Sequence, residues 1–413
     1  MSSIRSFQIA FMVTILSCLL ALSTASAQSY YPMIMSLEPT AAQRGKTSTL
    51  TVRSRYTMFG ASKVWVSGKG VTGKIVTPMK KKKKGKASPF TEIQVAFNIS
   101  ANVLPGVRDF RIATPNGAST LGQLLIVRDN VIFEQKKNNT MADAQEVKLP
   151  VTLCGGFEQV EDVDFYKFHV KAGERLSFHV QCARLQDRIH DMQIHADPIL
   201  SIKSSTGNTV TTSDNVFFAD PFISHTFKEA GDYFLEIRDV RYLKNKHWQY
   251  SVEINDRPFI TTLFPLGVPR KKTTAVQVVG HHFSSPKTTT IKLAKDVPLG
   301  IQQMKLSLNK KETNPVAVVV HNLPQVIETT KENNTFKQAQ KITVPAGISG
   351  RIEKLGDIDC FTFQAKKGDQ YSFEVIARRA GSSMDSIIRI LDKKGKRQRE
   401  NDDLKMGNRT FAD

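Results

Sequence analysis

Along most of the chain apolar residues alternate with polar ones at a period of two. The stretches 47–53, 164–170, 175–180, 233–238 and 371–376 all show it, and clusters of Gly, Pro, Asn and Asp separate them. That period is the spacing of side chains on one face of a β-strand, and the intervening residues are those of turns. No segment carries the 3.6-residue period of an amphipathic helix through three turns. The pattern predicts an all-β protein of tandem β-sandwich modules, with inward side chains of two sheets forming each core.

The strand pattern also repeats. Val163, Asp164, Phe165, Tyr166, Lys167 and Phe168 return 195 residues later as Ile358, Asp359, Cys360, Phe361, Thr362 and Phe363. Asn138, Asn139 and Thr140 return as Asn333, Asn334 and Thr335, and Ser177-Phe178 as Ser372-Phe373. Asp197 and Gly207 match Asp385 and Gly395 at 188 residues, so the second copy has a loop seven residues shorter. A weaker pair, 226 residues apart, relates Pro32, Ile34, Leu37 and Pro39 to Pro258, Ile260, Leu263 and Pro265. Repeats at fixed offsets mark repeated structural units. The expected order is A (28–128), B (129–256), A′ (257–324) and B′ (325–413), with B′ incomplete: Thr410 to Asp413 align with Phe217 to Asp220, before the last strands of B.

The first residues differ from the rest. Arg5 precedes an apolar run from Ile9 to Leu22 and an Ala25-Ser26-Ala27 triplet, the layout of a secretory signal peptide cleaved after Ala27. The run is too short for a comfortable membrane span, and no later stretch qualifies, so residues 1–27 are read as a signal and no membrane insertion is expected. The destination is then the periplasm, the cell surface or the medium. Formal net charge is +20, with only Arg5 in the signal, which favours anionic partners such as cell-envelope polymer over specific nucleic-acid recognition. The sharpest charge feature is Lys80, Lys81, Lys82, Lys83, Lys84 and Lys86, expected as a solvated loop able to grip phosphate or carboxylate groups. Three cysteines follow the signal, Cys154, Cys182 and Cys360. That number is too few for a disulfide scaffold, although Cys154 and Cys182 fall in one module and are a conceivable pair.

The series Gly356, Asp357, Ile358, Asp359, then Lys367, Gly368, Asp369, Tyr371, Phe373, then Asp385, Gly395, Asp402 and Asp403 resembles the bacterial pre-peptidase C-terminal domain. Glu161 to Phe168, Gly173, Asp197, Gly207 and Ala230 to Tyr233 resemble a fuller copy, and the A modules are similar to immunoglobulin-like IPT/TIG domains through Gly280, His281, His282 and Phe283. The resemblance implies jelly-roll-like sandwiches in B and B′, Ig-like ones in A and A′, and companionship with secreted hydrolases. In calcium-binding relatives an acidic residue and an Asn before the first strand act with an Asp of the Gly-Asp-x-Asp segment. Carried over, the metal residues are Glu328, Glu332, Asn334, Asp357 and Asp359 in B′, and Glu134, Asn139, Asp162 and Asp164 in B. Hard oxygen ligands suit Ca²⁺. The plainer reading is that these side chains cap turns.

No nucleophile elbow, zinc-protease helix or phosphate loop occurs. His190, Asp191 and His195 are the one local His/Asp group and read as an ordinary loop, and His281 and His282 as turn residues. The expectation is a secreted, non-enzymatic, multi-module binding or accessory protein for extracellular or cell-envelope ligands, polymer or protein. The alternatives are the non-catalytic front of a secreted peptidase or other hydrolase, and a structural spacer of a surface array.

Overall fold

The computed structural model describes residues 31–78, 90–186, 189, 192–284, 287–308, 310–329, 332–382, 384–406 and 409–412. The signal segment, the lysine run at 80–86, His190 and Asp191 lie outside them. Within them the chain is a series of β-sandwich modules. The one α-helix among the described residues is the single turn Ala183–Gln186.

Module A is one sheet in the order Ile34–Glu38, Thr47–Ser54, Glu92–Ile99, Val71–Ile75, Lys63–Val66, Gly106–Thr114, Gly122–Val127 and Ala41–Gln43, with Gly117–Ala118 added beside Gly106–Thr114. It folds over so that both halves line one core built on Val52, Val95, Phe97, Phe110, Ile112 and Ile126. The alternation does the sorting: in Glu92–Ile99, residues 93, 95, 97 and 99 are buried while 92, 94 and 98 are exposed.

Module B is two facing five-stranded sheets. One runs Asn130–Phe133, Val151–Gly156, Gln249–Asn255, Arg175–Gln181, Phe222–Thr226; the other runs Gln145–Glu146, Val163–Val170, Gly231–Asp239, Pro198–Ser204, Thr209–Ser213. The third strand of each comes from the end of the module, so the last two strands to be made are the middle of both sheets. Tyr166, Phe168, Phe178, Phe227, Trp248 and Tyr250 fill the core between them. Four of these rings form tilted or edge-on pairs 5.2–5.9 Å apart, including Phe168–Phe178, Phe168–Phe227 and Phe157–Tyr250.

Module A′ pairs Phe259–Phe264, Thr273–His281 and Lys287–Lys292 in one sheet, and Gly267–Pro269, Val316–His321 and Gly300–Met304 in the other. Its core is aliphatic, centred on Val268, Val276, Val278 and Val318.

The 195-residue repeat is written in the backbone. Val131 pairs in parallel with Thr152, as Gln325 does with Gly347; Gln145 pairs with Tyr166, as Gln340 does with Phe361. Cis peptides precede Pro150 and Pro345 at that offset, and Pro39 and Pro265 at 226. The hairpin Pro198–Ser204/Thr209–Ser213 returns as Ile388–Leu391/Arg397–Asn401. The strand expected at 371–376 does not form: these residues lie in no sheet. In B the matching strand Arg175–Gln181 pairs with Gln249–Asn255 and Phe222–Thr226. The described residues of B′ contain no equivalent of the two central strands, so Tyr371 and Phe373 remain 41% and 43% exposed.

The two copies therefore give opposite responses to one truncation. Phe178→Ala, at a fully buried ring, should cost about 3–5 kcal/mol in denaturant unfolding, whereas Phe373→Ala should stay within about 0.5 kcal/mol.

Candidate metal centres

In Val163–Val170 the inward phase is 164, 166, 168 and 170. It carries Tyr166, Phe168 and Val170 into the core and takes Asp164 with them, at 2% exposure. Across the sandwich Tyr250, in phase with Val252 and Ile254, donates its hydroxyl to Asp164 Oδ2 at 2.7 Å, and Tyr166 and Tyr250 hydroxyls lie 2.7 Å apart. Glu134, just after Asn130–Phe133, completes the group: its Oε2 accepts from Gly156 N at 3.0 Å and lies 3.4 Å from the Tyr250 hydroxyl. Gly155 makes this approach possible, since a Cβ there would sit 2.1 Å from Glu134 Oε2 and 2.4 Å from the Tyr250 oxygen.

Burial is the largest influence on both acids, and it favours their neutral forms. Glu134 is pushed up to about 9, by burial first and then by the charge of Asp164; Asp164 is pushed up to about 7, by burial opposed by the Tyr250 donor. The other influences are Asp162, Asn138 and backbone donors, with no cationic side chain among them. Two carboxyl groups so placed must share protons or share a cation.

B′ repeats the arrangement. Arg351 N donates to Glu328 Oε2 at 2.9 Å as Gly156 N does to Glu134, and Gly350 stands where Gly155 stands, with a Cβ position 3.1 Å from Glu328 Oε2 and 3.5 Å from Asp359 Oδ2. Asp359 is pushed up to about 7, by burial first and then by Glu328 and Asp357. The amide of Asn333 lies 3.3 Å from both Asp359 Oδ1 and Glu328 Oε1. With its nitrogen toward them it donates to both. With its oxygen toward them three oxygens converge, the donor set of a hard cation.

The residues carried over from the family resemblance thus divide. Glu134 with Asp164, and Glu328 with Asp359, come together. Asp162 caps a turn, accepting from Glu158 N at 2.8 Å and Gln159 N at 3.2 Å, and takes Asn139 Nδ2 at 3.3 Å; Asp357 accepts likewise from Glu353 N at 2.8 Å. Glu332 is exposed, and Asn334 keeps a buried Oδ1 without a partner. The preceding asparagines, Asn138 and Asn333, both 1% exposed, are the ones that reach the acids. Sequence reasoning passed over them and over Tyr250 and Gly155. The readable signal was phase: Asp164 and Asp359 stand in step with core aromatics. A further acidic group, Asp385, Asp402 and Asp403, has carboxylate oxygens within 4.8 Å of one another.

The remaining candidates are quieter. Cys154 and Cys182 are buried and free, with thiols pushed up by burial; Cys182 accepts from Gln186 Nε2 at 3.3 Å. The His195 carbonyl takes Arg241 Nη2 at 2.7 Å. No helix among the described residues is long and apolar enough to cross a membrane.

No protein-family model and no curated protein matches the chain. Among solved structures it is similar to the pre-peptidase C-terminal domain of collagenase from Bacillus anthracis, 14% identical over 27% of this chain and 94% of that one, with a TM-score of 0.21. It is similar also to PliG, a periplasmic inhibitor of g-type lysozyme from Aeromonas hydrophila, at 12% identity over 30% and 95%, TM-score 0.19. SGBP-B of the Bacteroides ovatus mixed-linkage glucan utilization locus is similar at 8% over 52% and 74%, TM-score 0.17. Likenesses of this size assign neither family nor function.

In the unfolded chain both acids of B lose their protons near pH 4–5, whereas the fold holds them to about 7 and 9, so stability is lost as pH rises across that window. Asp164→Asn removes part of this loss. Without added metal, its melting temperature relative to the parent should climb from pH 5 to pH 9, an effect on the order of a few kcal/mol; a constant difference contradicts the acid pairing.

Proposed function

We propose that this chain is an exported, non-catalytic binding protein whose B modules each take a calcium ion at the end of the sandwich. Glu134 and Asp164 with Asn138 would hold it in B, and Glu328 and Asp359 with Asn333 in B′. The ion would supply the positive charge that neither cluster draws from the protein's own cations. The observation that carries this reading is the recurrence of the whole cluster: the acid pair, the amide beside it, the backbone donor and the space-making glycine stand in both copies. A turn-capping role needs only Asp162 and Asp357, and leaves the buried pair unexplained.

The partner is an extracellular or cell-envelope polymer or protein, met by the sandwich surfaces. The net charge of +20 supports an anionic one. The joints support binding over spacing. Thr40 of A and Ser251 and Cys154 of B interlock beneath Ala41, Leu125 and Val127. Glu312 of A′ takes Arg44 and Arg128 of A at 3.5 and 3.3 Å, and Asp129 pairs with Arg257 across the two ends of B. Three modules packed in this way present one continuous surface.

Melting of the full chain in calcium and in chelator tests the metal. Calcium at about 100 times its Kd should raise stability by about 2.7 kcal/mol per site. Asp359→Asn should lose the B′ share alone, and identical melting curves in calcium and chelator would leave the acids as proton-sharing pairs. Retention of the chain on isolated cell envelope should fall steeply between low and high salt. Retention that ignores salt would count against an anionic partner.

A further inference from the structure

B and A′ meet at a ring-lined joint. Phe222 of B stacks on Phe259 of A′ at 4.4 Å and on His281 at 5.2 Å, and His179 of B lies 5.0 Å from Phe259. Burial holds the His179 imidazole neutral, and Glu253 and Arg184 contact its two ring nitrogens at 3.8 and 2.9 Å. Each ring pair adds about 0.5–1.5 kcal/mol beyond its buried area. The joint therefore fixes two strands against each other: Arg175–Gln181, which carries His179, and Thr273–His281.

Those same two strands lead out of the joint into an open cleft of about 640 Å³. Glu174 and Arg175, at the start of one strand, form one wall; His282, Phe283 and Ser284, just past the end of the other, form the opposite wall, and Asp256 of the connection lies between. The volume is within the range of about 300–1,000 Å³ typical of small-molecule sites, and inter-module junctions are where such sites concentrate.

His282 is the unusual member. Its φ is +65°, a left-handed conformation that costs a non-glycine residue energy and clusters at functional positions. Its Nε2 is buried and has no hydrogen-bond partner among the described residues. Burial first, then Arg175 and His281, lowers its pKa to about 4, so the ring is neutral at physiological pH and offers one donor and one acceptor.

The charge of the cleft is balanced, against the grain of the whole chain. An anionic ligand would meet Glu174 and Asp256, and a cationic one would meet Arg175, with Lys311 already 3.4 Å from Asp256. An uncharged polyhydroxylated ligand meets neither penalty: its hydroxyls donate to the carboxylates and accept from the guanidinium, and its C–H face lies on Phe283. The open ends suit a chain rather than a capped small molecule.

We propose that the cleft between B and A′ binds a neutral polysaccharide, with His282 and Arg175 as its polar contacts and Phe283 as its platform. This goes beyond the calcium reading and does not depend on it. It deepens the extracellular-polymer reading by adding a second, uncharged class of ligand.

Affinity electrophoresis of the full chain in gels containing mixed-linkage β-glucan, xyloglucan, galactomannan or soluble starch tests it. At least one should retard the parent, and retardation should survive about 0.5 M salt and a chelator. His282→Gly, which takes φ +65° without strain, and Arg175→Ala, at an exposed residue, should each weaken binding at least about tenfold, with melting temperatures within about 2 °C of the parent. Ser284→Trp, at the exposed rim, should block the cleft and abolish retardation even if the other variants fold poorly. Retardation by none of the four, or retardation that Ser284→Trp leaves intact, overturns the proposal. Retardation lost in salt overturns it as well and returns binding to surface charge; loss in chelator overturns it and moves binding to the acid clusters. Salt-sensitive envelope retention with no retardation by neutral polymer would leave the anionic reading standing and this one fallen.

Discussion

Two carboxyl groups buried side by side, with no cation of the protein to answer them, set the terms for the end of the B sandwich. Desolvation makes the doubly ionised state expensive, and in B that cost is offset by Tyr250, Tyr166, Asn138 and the Gly156 amide, each aimed at the acids. The two central strands converge on this point. Gln249–Asn255 supplies Tyr250, and Gly231–Asp239 pairs with the strand that carries Asp164, so the packing of the core and the position of the acids are one arrangement. B′ holds its own pair with fewer covering groups, and Asp359 is partly open to water.

The modules are held differently from beads on a string. A and B share a small apolar contact around Cys154, B and A′ share a ring cluster, and A and A′ are drawn together by Glu312 with three cations, Arg44, Arg128 and Lys305. Arg128 also donates to the Thr313 carbonyl at 2.6 Å. These contacts include partly buried, multiply bonded charges rather than isolated surface pairs, whose individual worth is small. They create the cleft: without the Phe222–Phe259 stack, Arg175 and His282 would have no fixed distance.

Much of the fold was legible from period alone, because a strand with one buried face must alternate. Glu92–Ile99 and Val163–Val170 show that alternation in sequence and in burial. The failure at 371–376 is equally physical. Tyr371 and Phe373 have strand-forming side chains, but a strand forms only when neighbours complete its ladder, and the described residues of B′ provide none. The site was half legible. Its acids could be named because they stand in a recognisable series, whereas Asn138, Tyr250 and Gly155 act through tertiary placement: one lies before the first long strand, one in the last, and the glycine matters through what it omits. The cleft was not legible at all, since its walls are 107 residues apart in the chain, from Arg175 to His282, and meet through the joint.

Calorimetric titration of Ca²⁺ into the full chain near pH 7.5, repeated in two buffers of different ionisation enthalpy, addresses the acid pairs most directly. Binding should occur and release protons, because Glu134, held up to about 9, must give up its own to ligate the ion. No binding heat in either buffer, or binding with the same heat in both, would contradict the assignment of these buried carboxyls as a metal centre.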